Sequence, residues 1–219
     1  MLGETHPQRD HAHVLNLPAL RMHTYPVSKG EYAAWLNSTR WRPVRSQNWL
    51  ADWEVVGERP GAGSERQPVT WVSRDDAVAY CAHFGMRLPT SYEWQYAAQS
   101  GDGRKWPWGD EEPDETQAPI FTSGRTMPPA DDVDAHPRGA SPFGLMDMVG
   151  NVYQWTDAFE DDHTVRAVLR GSSRWRPSGS DWYLPRPTSL EEHSTFLLVS
   201  DSLDRSAGIG FRCVAGGHG

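Results

Sequence analysis

Apolar positions in this chain fall in short runs, three of them opened by the same polar signature. Ser28-Lys29-Gly30-Glu31 precedes Tyr32-Ala33-Ala34-Trp35-Leu36, and Ser73-Arg74-Asp75-Asp76 precedes Ala77-Val78-Ala79-Tyr80-Cys81. Thr90-Ser91-Tyr92-Glu93 precedes Trp94-Gln95-Tyr96-Ala97-Ala98. In each, the leading hydroxyl can accept from the backbone N–H three residues on, while the acid reaches back to the cap's own N–H. The pattern predicts three short helices, the second stopped by Gly85 in a left-handed turn. Val165-Arg166-Ala167-Val168-Leu169-Arg170 alternates in part and meets Gly171, which predicts a strand and a turn. Ile209-Gly210-Phe211-Arg212-Cys213-Val214 predicts a second strand. Residues 101–142, rich in Gly, Pro and acids, are expected to form a long surface excursion anchored by Trp106 and Trp108. No repeat or composition shift marks a boundary, so residues 1–219 are expected to form a single domain.

Composition narrows the class. Only 37% of the 219 residues are hydrophobic, against 20 glycines and 17 prolines, which favours a loop-rich fold over a helical bundle. Eleven tryptophans still demand a core in which to bury their rings. A net charge of −8 with no basic run opposes nucleic acid as a partner. No apolar stretch reaches the roughly 18 residues of a membrane span. The polar start, residues 1–10, offers no signal-peptide core, so a cytoplasmic location is expected. Two cysteines, Cys81 and Cys213, give neither a disulfide framework nor a four-thiolate zinc site.

Four segments carry a resemblance. Tyr80-Cys81 leads into Gly85-Met86-Arg87-Leu88-Pro89-Thr90 and Glu93-Trp94, followed by Trp106-Pro107-Trp108-Gly109-Asp110. Phe143-Gly144-Leu145-Met146-Asp147-Met148-Val149-Gly150-Asn151-Val152-Tyr153-Gln154-Trp155 comes third, and Leu169-Arg170-Gly171-Ser172-Ser173 with Gly210-Phe211-Arg212-Cys213 last. Together with Tyr25-Pro26-Val27-Ser28-Lys29-Gly30-Glu31-Tyr32, they resemble the formylglycine-generating enzyme, or sulfatase-modifying factor, superfamily over about residues 11–215. The resemblance implies an α+β, modified C-type-lectin-like fold with little regular secondary structure. Its members include formylglycine-generating enzymes, the catalytic half of ergothioneine-pathway sulfoxide synthases, pyoverdine-maturation proteins and retroelement-diversified variable proteins. Fold alone therefore does not fix function.

The family's copper enzymes hold their metal with two cysteines five residues apart, and the matching places here are Arg176 and Asp181. Neither is a thiolate, and a carboxylate beside a guanidinium is a poor Cu(I) site, so formylglycine formation is not expected. Cys81 and Cys213 match other positions, bonded to each other in some secreted relatives. They read either as a redox pair or as two neighbouring structural thiols. The resemblance also implies a calcium site using the Asp147 side chain, the Gly150 and Val152 carbonyls and Gln154, whose family counterpart is Glu.

The ligand-facing surface implied by the fold contains Trp175, Trp182, Tyr183 and Arg186, then Asp204 and Arg205. His193, Asp181 and Arg176 are the candidate catalytic residues, with His193 as general base. The bland alternatives are that the aromatics are core, that Asp204 and Arg205 form a local salt bridge, and that Arg170 and Arg212 pair with acids such as Glu93. Spacing supports no site for non-haem iron or copper, and His11 and His13 form the only close histidine pair. Two functions fit: an enzyme acting on a small amino-acid-like or peptide substrate, with metal-dependent oxidation as its chemistry, or a non-catalytic, lectin-like module for a ligand or protein.

Overall fold

The computed structural model describes residues 16–160, 163, 165–177, 190, 193–199 and 204–216, with the backbone alone at 176–177. The three capped helices form where their caps dictate: α1 (Lys29–Thr39), α2 (Arg74–His83) and α3 (Ser91–Gln99). Ser28, Ser73 and Thr90 each close a reciprocal box with Glu31, Asp76 and Glu93. Gly85 (φ 66°) turns the chain after α2, and the Gly85 and Met86 N–H groups donate to the Ala82 and Cys81 carbonyls.

The strands are short: β1 (Leu20–Met22), β2 (Thr122–Gly124), β3 (Tyr153–Phe159), β4 (Arg166–Arg170), β5 (Trp175–Pro177), β6 (Ser194–Leu197), β7 (Ile209–Gly210) and β8 (Val214–Gly216). A four-stranded sheet runs β6-β4-β3-β7, with β7 parallel to β3 and the other pairs antiparallel. Two-strand sheets join β1 to β8 antiparallel and β2 to β5 parallel. The single strand expected over residues 209–214 is two strands. Between them Arg212 turns inward, fully buried, and the Phe211 and Cys213 carbonyls accept from Val27 and His23 N–H. That handover lets one segment close two sheets.

The core is aromatic. Tyr32 stacks on Tyr80 at 5.5 Å and meets Trp35 edge-on at 5.0 Å, with Phe211 against both tyrosines. A second cluster gathers Trp94, Trp106, Leu145, Met148 and Leu190. The 101–142 excursion is anchored as expected, Trp106 being buried and stacked on Trp108 at 5.7 Å. It is more than surface, since Ala118, Ala130 and Val133 are buried and β2 supports β5. Cys81 and Cys213, both fully buried, form a disulfide across 132 residues of chain.

Candidate functional site

The start of α1 builds one wall of a cleft of about 430 Å³. Lys29 and Gly30 N–H donate to the Gln67 and Glu65 carbonyls, which fastens the helix start to the neighbouring loop. The Lys29 ammonium is thereby held inside the protein. It pairs with Asp52 Oδ2 at 2.7 Å and donates to Gln67 Oε1 at 3.1 Å. Asp52 keeps 31% of its side-chain surface exposed against 7% for Lys29, so the carboxylate is the wetter partner. Thr70 Oγ1 donates to the same Asp52 oxygen at 3.4 Å.

Trp71 lines the cleft from a backbone that resists it. Its φ is 57°, in the left-handed region that a bulky side chain rarely enters. Two hydrogen bonds hold it there, from Leu50 N–H to the Trp71 carbonyl and from Trp71 N–H to the Ser206 carbonyl. Strain of this kind concentrates at functional sites.

The opposite wall hangs from Arg174. Gly171 (φ 77°) makes the turn after β4, where a Cβ would come within 2.9 Å of the Met148 carbonyl. The chain then delivers Arg174 beneath residues 127–130. Its guanidinium donates to the carbonyls of Pro129 (2.8 Å), Pro128 (2.5 Å) and Asn151 (2.8 Å). Burial pulls its pKa down to about 10, so it remains charged at neutral pH. Ser172 and Ser173 beside it carry buried hydroxyls with no partner among the described residues. A larger cavity of about 710 Å³ lies between Leu20 and the Tyr96–Phe143 pair, but no charged side chain among the described residues lines it.

The described residues among those marked by the sequence lie on or between separate strands. Asp181, Trp182, Tyr183 and Arg186 lie outside the described residues, as do His11 and His13, and Arg176 is described by its backbone alone, on β5. Trp175 is half-buried on the same strand, its indole N–H buried without a described partner. His193 is exposed just before β6, its pKa lowered by desolvation and by Arg170. Arg205 is buried. Its Nε and Nη2 grip Asp76 at 2.8 and 3.1 Å beneath α2, and Nη1 donates to the Arg45 and Gln47 carbonyls. Asp204 is buried and accepts from Val199 N–H at 2.9 Å. Glu93 pairs with Arg87 through two 2.7 Å bonds, while Arg170 donates to Ser91, Gln95 and the Leu190 carbonyl.

The calcium-like loop is closed by its own side chains. Gln154 Oε1 accepts from Trp94 Nε1 (3.0 Å) and Arg212 Nε (2.7 Å), which occupies both lone pairs, and its Nε2 donates to the Asp147 carbonyl. Arg212 also donates to the carbonyls of Met146 and Asp147. A guanidinium therefore sits against the loop, and Gln154 has no oxygen left for a cation. Asp147 is buried, bonded by Asn151 Nδ2, and burial raises its carboxyl to about 6. Alongside the Gly150 and Val152 carbonyls, this donor set does not fit Ca²⁺. Among the described residues, no group of three or more His, Cys, Asp or Glu could hold a metal ion.

Lys29, Asp52 and Trp71 were missed from sequence, although a lysine at the first position of a capped helix opposes the helix dipole and so carried a signal. Arg174 directly precedes Trp175 of the expected ligand-facing surface but was not singled out.

Comparisons with known proteins agree with this architecture. The chain is 35% identical over 168 residues to a hercynine oxygenase of Mycobacterium tuberculosis, spanning 66% of this chain and 39% of that protein. It is 35% identical over 193 residues to the inactive C-alpha-formylglycine-generating enzyme 2 of Bos taurus, covering 80% of this chain and 58% of the relative. The chain thus spans about two-fifths to three-fifths of the length of these relatives. PvdO from Pseudomonas aeruginosa superposes with a TM-score of 0.61 at 20% identity, over 88% of this chain and 78% of that one. The sulfatase-modifying factor enzyme 1-like domain family matches residues 2–216, and the chain belongs to it.

Proposed function

We propose that the Lys29–Asp52 cleft holds a small amino-acid-like molecule, and that the chain positions this molecule for an oxidation other than formylglycine formation. The carrying observation is the cleft itself: a buried lysine paired with a solvent-facing carboxylate, and a strained tryptophan, in a cavity of small-molecule size. Similarity to a hercynine oxygenase supports a small nitrogenous substrate. Closure of Cys81 and Cys213 into a buried disulfide supports a chemistry that uses neither sulfur as a copper ligand.

Calorimetric titration with hercynine, histidine and other amino acids tests the cleft. Saturable binding that weakens at least about tenfold in Lys29→Gln is expected. Binding untouched by Lys29→Gln and Asp52→Asn would contradict it. Mass spectrometry after incubation with dioxygen, a reductant such as ascorbate and iron(II) or copper separates the two functions, a gained oxygen absent from the protein-free control marking the enzyme. The second reading, a non-catalytic binder, draws on similarity to a relative named as inactive, and it expects the ligand back unchanged.

A further inference from the structure

The charge inside the cleft does not balance. Among the described residues, its charged lining is Lys29, Arg174 and Asp52, two cations against one carboxylate. Asp52 is engaged by Lys29, and Arg174, only 4% exposed, is satisfied by three neutral carbonyls. The next acid in the sequence around Arg174's partners, Asp131, is bonded to His136 at 2.8 Å. Asp131 and Asp52 favour the Arg174 charge from a distance, but desolvation outweighs them, and an arriving anion would offset the remaining cost. The excess is local, because the chain as a whole carries −8. Lys29 Nζ also has three protons, of which Asp52 and Gln67 take one each. Backbone N–H groups at the start of α1 do not contribute, since the Gln67 and Glu65 carbonyls already take Lys29 and Gly30 N–H.

Building on the proposed function, we infer that this cleft recognises a single carboxylate on its ligand, received by Lys29 and attracted by the buried charge of Arg174 behind the wall, with Asp52 left to face the ligand's cationic group. The apolar remainder of the lining, Trp71 and Met127 among it, suits the ligand's hydrocarbon portion. Arg174 is also a positioning residue, because its bonds to Pro128 and Pro129 hold the 127–130 wall in place. Lys29 is the residue whose charge can be changed while its helix cap stays intact.

Matched pairs test the inference: each amino acid of the panel against its carboxamide, titrated into the parent chain, Lys29→Gln and Lys29→Arg. A charge-assisted bond to a carboxylate predicts that the parent favours the acid over its amide by about tenfold or more. Lys29→Gln is expected to lose that preference and Lys29→Arg to recover part of it, with melting temperatures confirming that all three fold. Amides that bind as tightly as acids overturn the carboxylate inference and leave the cleft reading standing. Saturable binding by neither acids nor amides overturns both. Asp52→Asn gives an independent arm, removing the cleft's one negative charge. Simple monocarboxylates are expected to bind this variant more tightly than the parent, and weaker binding of them counts against the inference.

Discussion

Asp147 concentrates the electrostatics of the interior. Its carboxyl is raised from 3.8 to about 6, chiefly because burial disfavours the anion, while Asn151 and Arg212 pull the other way. The proton is therefore bound more tightly in the folded chain than in the unfolded one. Stability from this group is fully present below pH 3.8 and is lost as pH rises through 6. Asp147→Asn, neutral throughout, is expected to match the parent near pH 4 and to exceed its stability at pH 8 by on the order of 2 kcal/mol. Thermal melts at the two pH values check this. A parent more stable than the variant at pH 8, with the advantage removed by a chelator, would show that the loop holds a cation after all. Sequence resemblance pointed to calcium here because the residue types are right. It could not show that Trp94 and Arg212 already fill the lone pairs of Gln154.

At the scale of elements, the helix caps were legible and their second duties were not. Ser73 and Asp76 close a capping box, which spacing alone reveals. Asp76 Oδ2 also accepts from Arg205 Nε, a partner 129 residues away that no local pattern signals. Ser73→Ala is accordingly expected to cost about 1 kcal/mol. Asp76→Ala leaves a buried guanidinium unpaired and is expected to cost roughly 3–5 kcal/mol. Urea unfolding of the two variants decides the matter, and equal losses would contradict the double role. The final strand shows the same limit. The sequence reads residues 209–214 as one strand, but it could not reveal that Arg212 turns inward and divides them between two sheets.

For the whole molecule, family motifs disclosed the fold, whereas the cleft arises from segments far apart in sequence: the start of α1, the turn at Asp52, Trp71 and Arg174. Long-range closure also governs stability. The Cys81–Cys213 bond spans 132 residues and ties α2 to the last strands. Replacing both cysteines with serine is expected to lower stability by about 2–5 kcal/mol. A reducing compartment opposes such a bond. Alkylation of the protein in freshly lysed cells, with mass spectrometry, is expected to find both sulfurs unmodified and joined. The central claim, that the ligand lies between Lys29 and Arg174, is tested most directly by a crystal structure with the tightest-binding amino acid of the panel. The account predicts its carboxylate within hydrogen-bonding distance of Lys29 Nζ and its side chain along Trp71. A ligand seated beside His193, or in the groove at Tyr96 and Phe143, would contradict it.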